Sequence, residues 1–172
     1  MNFIERVEHN FKEGSIPMRG PTVRGTLDGS IDLLCFPTEW THHLRPFVPQ
    51  EIRWVREHYS RRKKDNKKLK YEADYPGQQN VTSFCPAVHM KKEWSRISIQ
   101  IGEMRGCLLF NVTREEMKRM GYRDSDDFKR RWNREHRYDG LNWKTNPTVW
   151  LITFQRIKPK TDKPQTAKTY HY

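Results

Sequence analysis

The sequence predicts an α+β fold, a small β-barrel or curled sheet flanked by short helices, on three observations. Segments with strand periodicity outnumber helical ones. They are scattered along the chain rather than alternating regularly with helices, which argues against a doubly wound parallel sheet. Neither a G-x-G-x-x-G nor a P-loop glycine pattern occurs, which further disfavours a nucleotide-binding α/β fold.

The elements follow in order. Residues 1–14 read as a polar arm, and Gly14, Pro17, Gly20 and Pro21 extend the irregular lead-in to about residue 20. Thr22 to Leu27 reads as a short helix ended by Asp28-Gly29, since Gly tolerates the left-handed position after a helix. Ser30 to Phe36 is a strand closed by Pro37. Ile52 to Tyr59 alternates Trp54 and Arg56 against Val55 and Glu57, the pattern of a half-buried strand. Arg61 to Lys70 (RRKKDNKKLK) has no apolar face to bury and reads as a solvated loop or hairpin tip. Trp94 to Gly102 sets Ile97, Ile99 and Ile101 on one strand face, with Cys107 to Val112 as its continuation or partner. Thr113-Arg-Glu-Glu116 is a capping box opening a short helix that Gly121 ends. A second helix runs from Ser125 or Asp126 to about Arg137, with Phe128 and Trp132 one turn apart. Val149 to Ile157 is the last strand. The domain thus spans residues 15–157, and the Lys-, Thr- and Pro-rich residues 158–172 read as a flexible basic tail.

Composition bounds the function. At 172 residues the chain suits one domain. Hydrophobic residues are only 34% but aromatics reach 12%, and aromatic rings alone bury enough area to build a core. No apolar run approaches the ~18 residues of a membrane span, and the start lacks a signal-peptide stretch, so a cytoplasmic protein is expected. Cys35, Cys85 and Cys107 lack metal or disulfide spacing and read as buried free thiols, with no cofactor or metal implied. Lys plus Arg number 33 against 21 Asp plus Glu, a net charge of +12. Such a field attracts polyanions and speeds encounter with them.

Candidate binding residues follow from that charge. Arg61, Arg62, Lys63, Lys64, Lys67 and Lys68 are placed to displace counterions from phosphates. Arg130, Arg134 and Arg137 fall opposite Phe128 on the second helix and form a second stripe with Lys129 and Arg131. Trp40, Trp54, Tyr59, Tyr71 and Tyr75 are candidates for stacking on unpaired bases, with core packing the stronger expectation for any one of them. Trp94, Trp132 and Trp150 are assigned to the core. Adjacent His42 and His43 would point to opposite faces of a strand, and His89 has no ligand-spaced partner, so none is read as a metal site. Asp124, Asp126 and Asp127 read as helix N-terminal capping and dipole complement.

Five blocks in order carry a family resemblance. Pro21-x-Val23-Arg24-x-x-Leu27-Asp28-Gly29, Trp54-Val55-Arg56-Glu57, Tyr71-x-Ala73-Asp74-Tyr75-Pro76 and Pro86-Ala87-Val88-His89-Met90 with Trp94-Ser95-Arg96-Ile97 are four of them. The fifth is Gly121…Phe128…Trp132 followed by Asn146-Pro147-x-Val149-Trp150. Together they resemble the ASCH domain of the PUA-like superfamily, in its bacteriophage-type members. The resemblance implies a small β-barrel with helices across its openings and a cleft for RNA or nucleosides. Arg24, Arg56 and Glu57 would line that cleft, with Trp54, Tyr59 and Tyr75. Some ASCH proteins hydrolyse N4-acylated cytidines with a Lys, a Thr three residues later and a distant Glu. The matching positions here are Ile31 and Leu34, leaving Glu57 as the one carboxylate with nothing to activate.

The expected function is therefore non-catalytic binding of nucleic acid, RNA or single-stranded DNA, by a phage-type protein in the host cytoplasm. One rival is a nucleoside amidohydrolase or ribonuclease working through Glu57. The other is a protein that binds a host transcription or defence factor through its basic segments.

Overall fold

A computed structural model of the chain describes residues 14–40, 47–61, 69–77 and 84–157. Its elements are β1 (Ser15–Pro17), α1 (Gly20–Asp28), β2 (Leu33–Pro37), β3 (Ile52–Arg56), β4 (Tyr59–Arg61) and β5 (Leu69–Tyr71). After these come β6 (Ser98–Leu108), α2 (Arg114–Arg119), α3 (Ser125–Glu135) and β7 (Thr148–Ile157). The fold is α+β. One sheet has the order β1-β3-β6-β7-β2, and β4 with β5 makes a separate two-stranded sheet. Only β1–β3 is parallel, so the larger sheet is mixed. Among the described residues no pairing joins β1 to β2, and the sheet is open.

The two faces of the sheet carry two cores, because neighbouring strand residues point to opposite sides. On β7, Ile152 and Phe154 join Ile16, Val23, Ile97, Ile99 and Ile101 beneath α1. Val149 and Leu151 instead join Met117, Met120, Phe128 and Trp132 beneath α2 and α3. Phe128 is fully buried, with its ring 4.8 Å from Tyr122 and 5.6 Å from Trp143. Such ring pairs add about 0.5–1.5 kcal/mol each beyond the area they bury, which offsets the low aliphatic content.

The helix ends obey their local chemistry. Gly29 follows α1 at φ +85°. Thr113 accepts from the Glu116 N–H while the Glu116 side chain returns to the Thr113 backbone, completing the capping box. Asp124 caps α3 by accepting from the Asp127 N–H at 2.7 Å.

Several expectations need correction. The lead-in is not irregular throughout: Ser15–Pro17 pairs with Trp54, Val55 and Arg56, and Ile16 is fully buried. A Pro-containing three-residue strand has no period to read, and only its partner strand reveals it. α1 starts at Gly20, two residues early, with Pro21 in its first turn where a missing N–H is harmless. β3 stops at Arg56 and is not half-buried, since Arg53, Trp54, Val55 and Arg56 are all buried. Its polar residues are interior because each is partnered: Arg53 donates from Nη2 to Glu51 Oε2 at 3.0 Å, and Arg56 donates to the Val88 carbonyl at 3.1 Å. Trp94 lies in a short 3₁₀ turn before the strand, and β6 runs unbroken in sequence from Ser98 through Cys107. Trp94 and Trp150 are half-buried, Trp132 fully so, and Cys85 is an exposed thiol. No helix among the described residues is long and apolar enough to cross a membrane.

Candidate nucleic-acid interface

The pairing of β4 with β5 (Tyr59 with Tyr71, Ser60 with Lys70, Arg61 with Leu69) brings the two ends of the basic block side by side. Arg62, Lys63, Lys64, Lys67 and Lys68 lie outside the described residues, as do His42, His43 and the 158–172 tail. Arg61 is placed by its backbone alone. A third segment joins at the base of the hairpin. Cys85 and Tyr59 exchange two backbone bonds, Tyr59 N–H to Cys85 O at 3.2 Å and Cys85 N–H to Tyr59 O at 2.7 Å.

Cations and aromatic rings interleave around this base. Lys70 Nζ lies 5.8 Å from the Tyr75 ring centre, Lys91 Nζ 5.4 Å from Trp94, and the Arg96 guanidinium 4.0 Å from Tyr71. The Tyr59 ring lies 5.2 Å from Trp94, tilted by 52°, and Tyr75 lies 6.4 Å from Phe84. Tyr59 and Tyr71 anchor themselves by donating to the His89 and Trp94 carbonyls, at 3.2 and 2.8 Å.

Beneath the rings lies an ion cluster. Glu57 is 2% exposed and accepts two parallel bonds from Arg96, Nε to Oε1 at 2.8 Å and Nη2 to Oε2 at 2.9 Å. Arg96 also donates from Nη1 to Asp74, at 2.9 Å. One guanidinium thus ties the end of β3, the start of β6 and the turn after β5. Burial pushes the Glu57 carboxyl above its ordinary range, and Arg96 recovers only part of that. Burial would also discharge Arg96, but its two carboxylate partners outweigh it. Tyr71 is raised too, by burial first and then by the Glu57 charge.

A pH prediction follows from Glu57. A carboxyl raised in the folded state stabilises the fold fully below the ordinary glutamate pKa of about 4.3. That contribution is lost as pH rises through the folded value. Glu57→Gln keeps the neutral shape at every pH. In denaturant melts, the native chain should therefore lose stability relative to Glu57→Gln as pH climbs above ~4.3. A gap moving the other way would mean that Arg96, not burial, governs the carboxyl.

The expected cleft residues are placed as follows. Trp54 and Tyr59 are buried, 7% and 6% exposed, and belong to the interior rather than to an open cleft. Arg56 is buried with its guanidinium on the Val88 carbonyl, and Arg24 donates to the Ala73 carbonyl at 3.2 Å. Both guanidinia brace the walls of the hairpin base. Tyr75 alone of the expected aromatic cleft residues is half-buried. Ile31 and Leu34 are buried in the core beneath α1.

The α3 stripe sits on the other side of the sheet. Arg130 is bound to Asp127 at 2.7 Å, and Arg131 reaches the same carboxylate while covering the Tyr122 ring at 4.6 Å. Arg134 and Arg137 are exposed. Sequence reasoning missed Phe84, Lys91 and Arg96. Arg96 stands 39 residues from Glu57, and no local periodicity links residues so far apart.

A scan against protein-family models, a search of curated proteins and a search of solved structures each found no match to this chain.

Proposed function

We propose that this is a non-catalytic nucleic-acid-binding protein of the ASCH, PUA-like type, phage-like in sequence, that takes RNA or single-stranded DNA. The observation that carries the reading is the alternation of cations and rings at the base of the hairpin, Lys70 with Tyr75, Lys91 with Trp94 and Arg96 with Tyr71. Those rings adjoin the ends of a segment with seven basic residues in ten. Phosphates are drawn by Lys70 and Lys91, Arg96 being held by Glu57 and Asp74, and unpaired bases by the rings. The bulged β6, whose register with β7 slips between Ile101 and Met104, supports a sheet curled toward a barrel, since bulges bend a strand. Binding is favoured over hydrolysis because Glu57 is held at both oxygens by Arg96 and because Ile31 and Leu34 are apolar core.

The test is a salt titration of affinity for labelled single-stranded RNA, single-stranded DNA and duplex. The log–log slope should be steep and negative, with each neutralised Lys contributing about −0.7 on single strands. Lys70→Gln combined with Lys91→Gln should flatten it by about 1.4, two such contributions. Affinity that does not change between low and moderate salt sinks the reading.

A further inference from the structure

We infer that Tyr75 and Phe84 form a base-stacking step for an unpaired nucleotide, with Lys70 beside it to hold a phosphate. This rests on the nucleic-acid reading above and specifies which side chains meet bases and which form of the polymer they select.

The rings of this region divide by what they already do. Tyr59 is buried, with its hydroxyl on the His89 carbonyl. Tyr71 has its hydroxyl on the Trp94 carbonyl and its face under the Arg96 guanidinium at 4.0 Å. Tyr75 and Phe84 differ. Both are half-buried, and no hydrogen bond ties the Tyr75 hydroxyl among the described residues. Their centres stand 6.4 Å apart at 36°, looser than the 5.2 Å of Tyr59 and Trp94.

The backbones that carry the two rings are nevertheless fixed. The Tyr75 N–H closes a 3₁₀ turn on the Glu72 carbonyl at 3.0 Å. Phe84 immediately precedes Cys85, which is locked to Tyr59 by its two-way backbone pairing. Rings on a fixed backbone can stack on a base without a large ordering penalty, the reason preorganised sites bind better. Lys70 approaches Tyr75 at 5.8 Å, so a base on the ring would bring its own phosphate toward an ammonium. Bases inside a duplex stack on one another and have no open face to offer. The site therefore selects single strands, and it tolerates any sequence because every base has a π face.

The experiment compares labelled oligonucleotides of about 12 units, within the range of known single-strand site sizes, in three forms: oligo-dT, oligo-rU and an abasic chain of equal length. The native full-length chain should bind the base-bearing strands more tightly than the abasic one. Tyr75→Leu and Phe84→Leu should each lower affinity for base-bearing strands by about 5- to 150-fold, the range that 1–3 kcal/mol of stacking per base implies. Abasic binding should stay unchanged, and Tyr75→Phe should bind like the native chain. Should a Leu variant unfold, the native chain still decides the point. The exposed Cys85 beside Phe84 should be alkylated more slowly when oligo-dT is bound than when the abasic chain is bound to equal saturation. Equal affinity for abasic and base-bearing strands, or equal Cys85 labelling, overturns the stacking step and leaves the electrostatic reading standing. Failure to bind any of the three strands overturns that reading as well.

Discussion

Arg96→Met is expected to destabilise the fold by about 3–5 kcal/mol, the usual result of removing one partner of a buried ion pair. The effect is large because Glu57, 2% exposed, would keep its carboxylate with no guanidinium against it. Such a group takes up a proton instead, so the variant should lose stability steeply as pH rises past the carboxylate range. Adding Glu57→Gln removes the charge outright and should recover a large part of the loss, most of all at high pH. Chemical denaturation of the native chain, both single variants and the double variant, followed across pH, measures the coupling directly. If the double variant is no more stable than Arg96→Met, Glu57 is not the source of the cost. Asp74 would then be the partner to examine, although its 44% exposure leaves its bond to Arg96 largely screened.

This cluster marks the limit of what the sequence discloses. Helix ends and core faces are written locally. The capping box at Thr113, the stop at Gly29 and the isoleucines at 97, 99 and 101 each depend on residues within a few positions. Their placement in the structure agrees with that reading. The Glu57–Arg96 pair has no local signature, and on its strand Arg96 reads as one of three outward polar residues. The alternation in Ile52 to Glu57 misleads for a related reason. A polar residue in a strand looks solvent-facing unless its partner is known; Arg53 finds Glu51 two residues back, but the Arg56 partner, the Val88 carbonyl, lies 32 residues on. The basic block stands out in the sequence by charge alone. From sequence the rings beside it read mainly as core, which holds for Tyr59 and not for the half-buried Tyr75.

The same distinction governs Ile31, where the resemblance expects a catalytic Lys. Ile31 is 6% exposed and its side chain is wedged between two glycine backbones, Gly25 on α1 and Gly121 after α2. A Cβ on Gly121 would lie 2.5 Å from Ile31 Cδ1, and one on Gly25 would lie 2.4 Å from the same atom. The Ile31 side chain thus packs against both helical layers, its Cδ1 methyl facing Gly25 and Gly121 alike. Gly121→Ala should therefore carry two penalties. One is conformational, about 1 kcal/mol or more for a side chain at φ +81°. The other is overpacking against Ile31, about 1–3 kcal/mol.

Gly29→Ala separates the two penalties, because Gly29 has a similar φ of +85° and nothing within 4 Å of its would-be Cβ. It should show the conformational cost alone. Ile31→Val removes Cδ1 and by itself should cost about 0.5–1.5 kcal/mol. In the Gly121→Ala background it should instead be neutral or stabilising, since the clashing methyl is the one deleted. Thermal or denaturant melts of these variants give the coupling term. If Gly121→Ala costs no more than Gly29→Ala, or if Ile31→Val is equally harmful in both backgrounds, the wedge is not what joins α1 to α2. With the wedge in place, an ammonium at position 31 would replace that methyl inside the core, where an unpaired charge is costly. Position 31 thus serves packing, and the nucleic-acid binding proposed above draws on the hairpin surface instead.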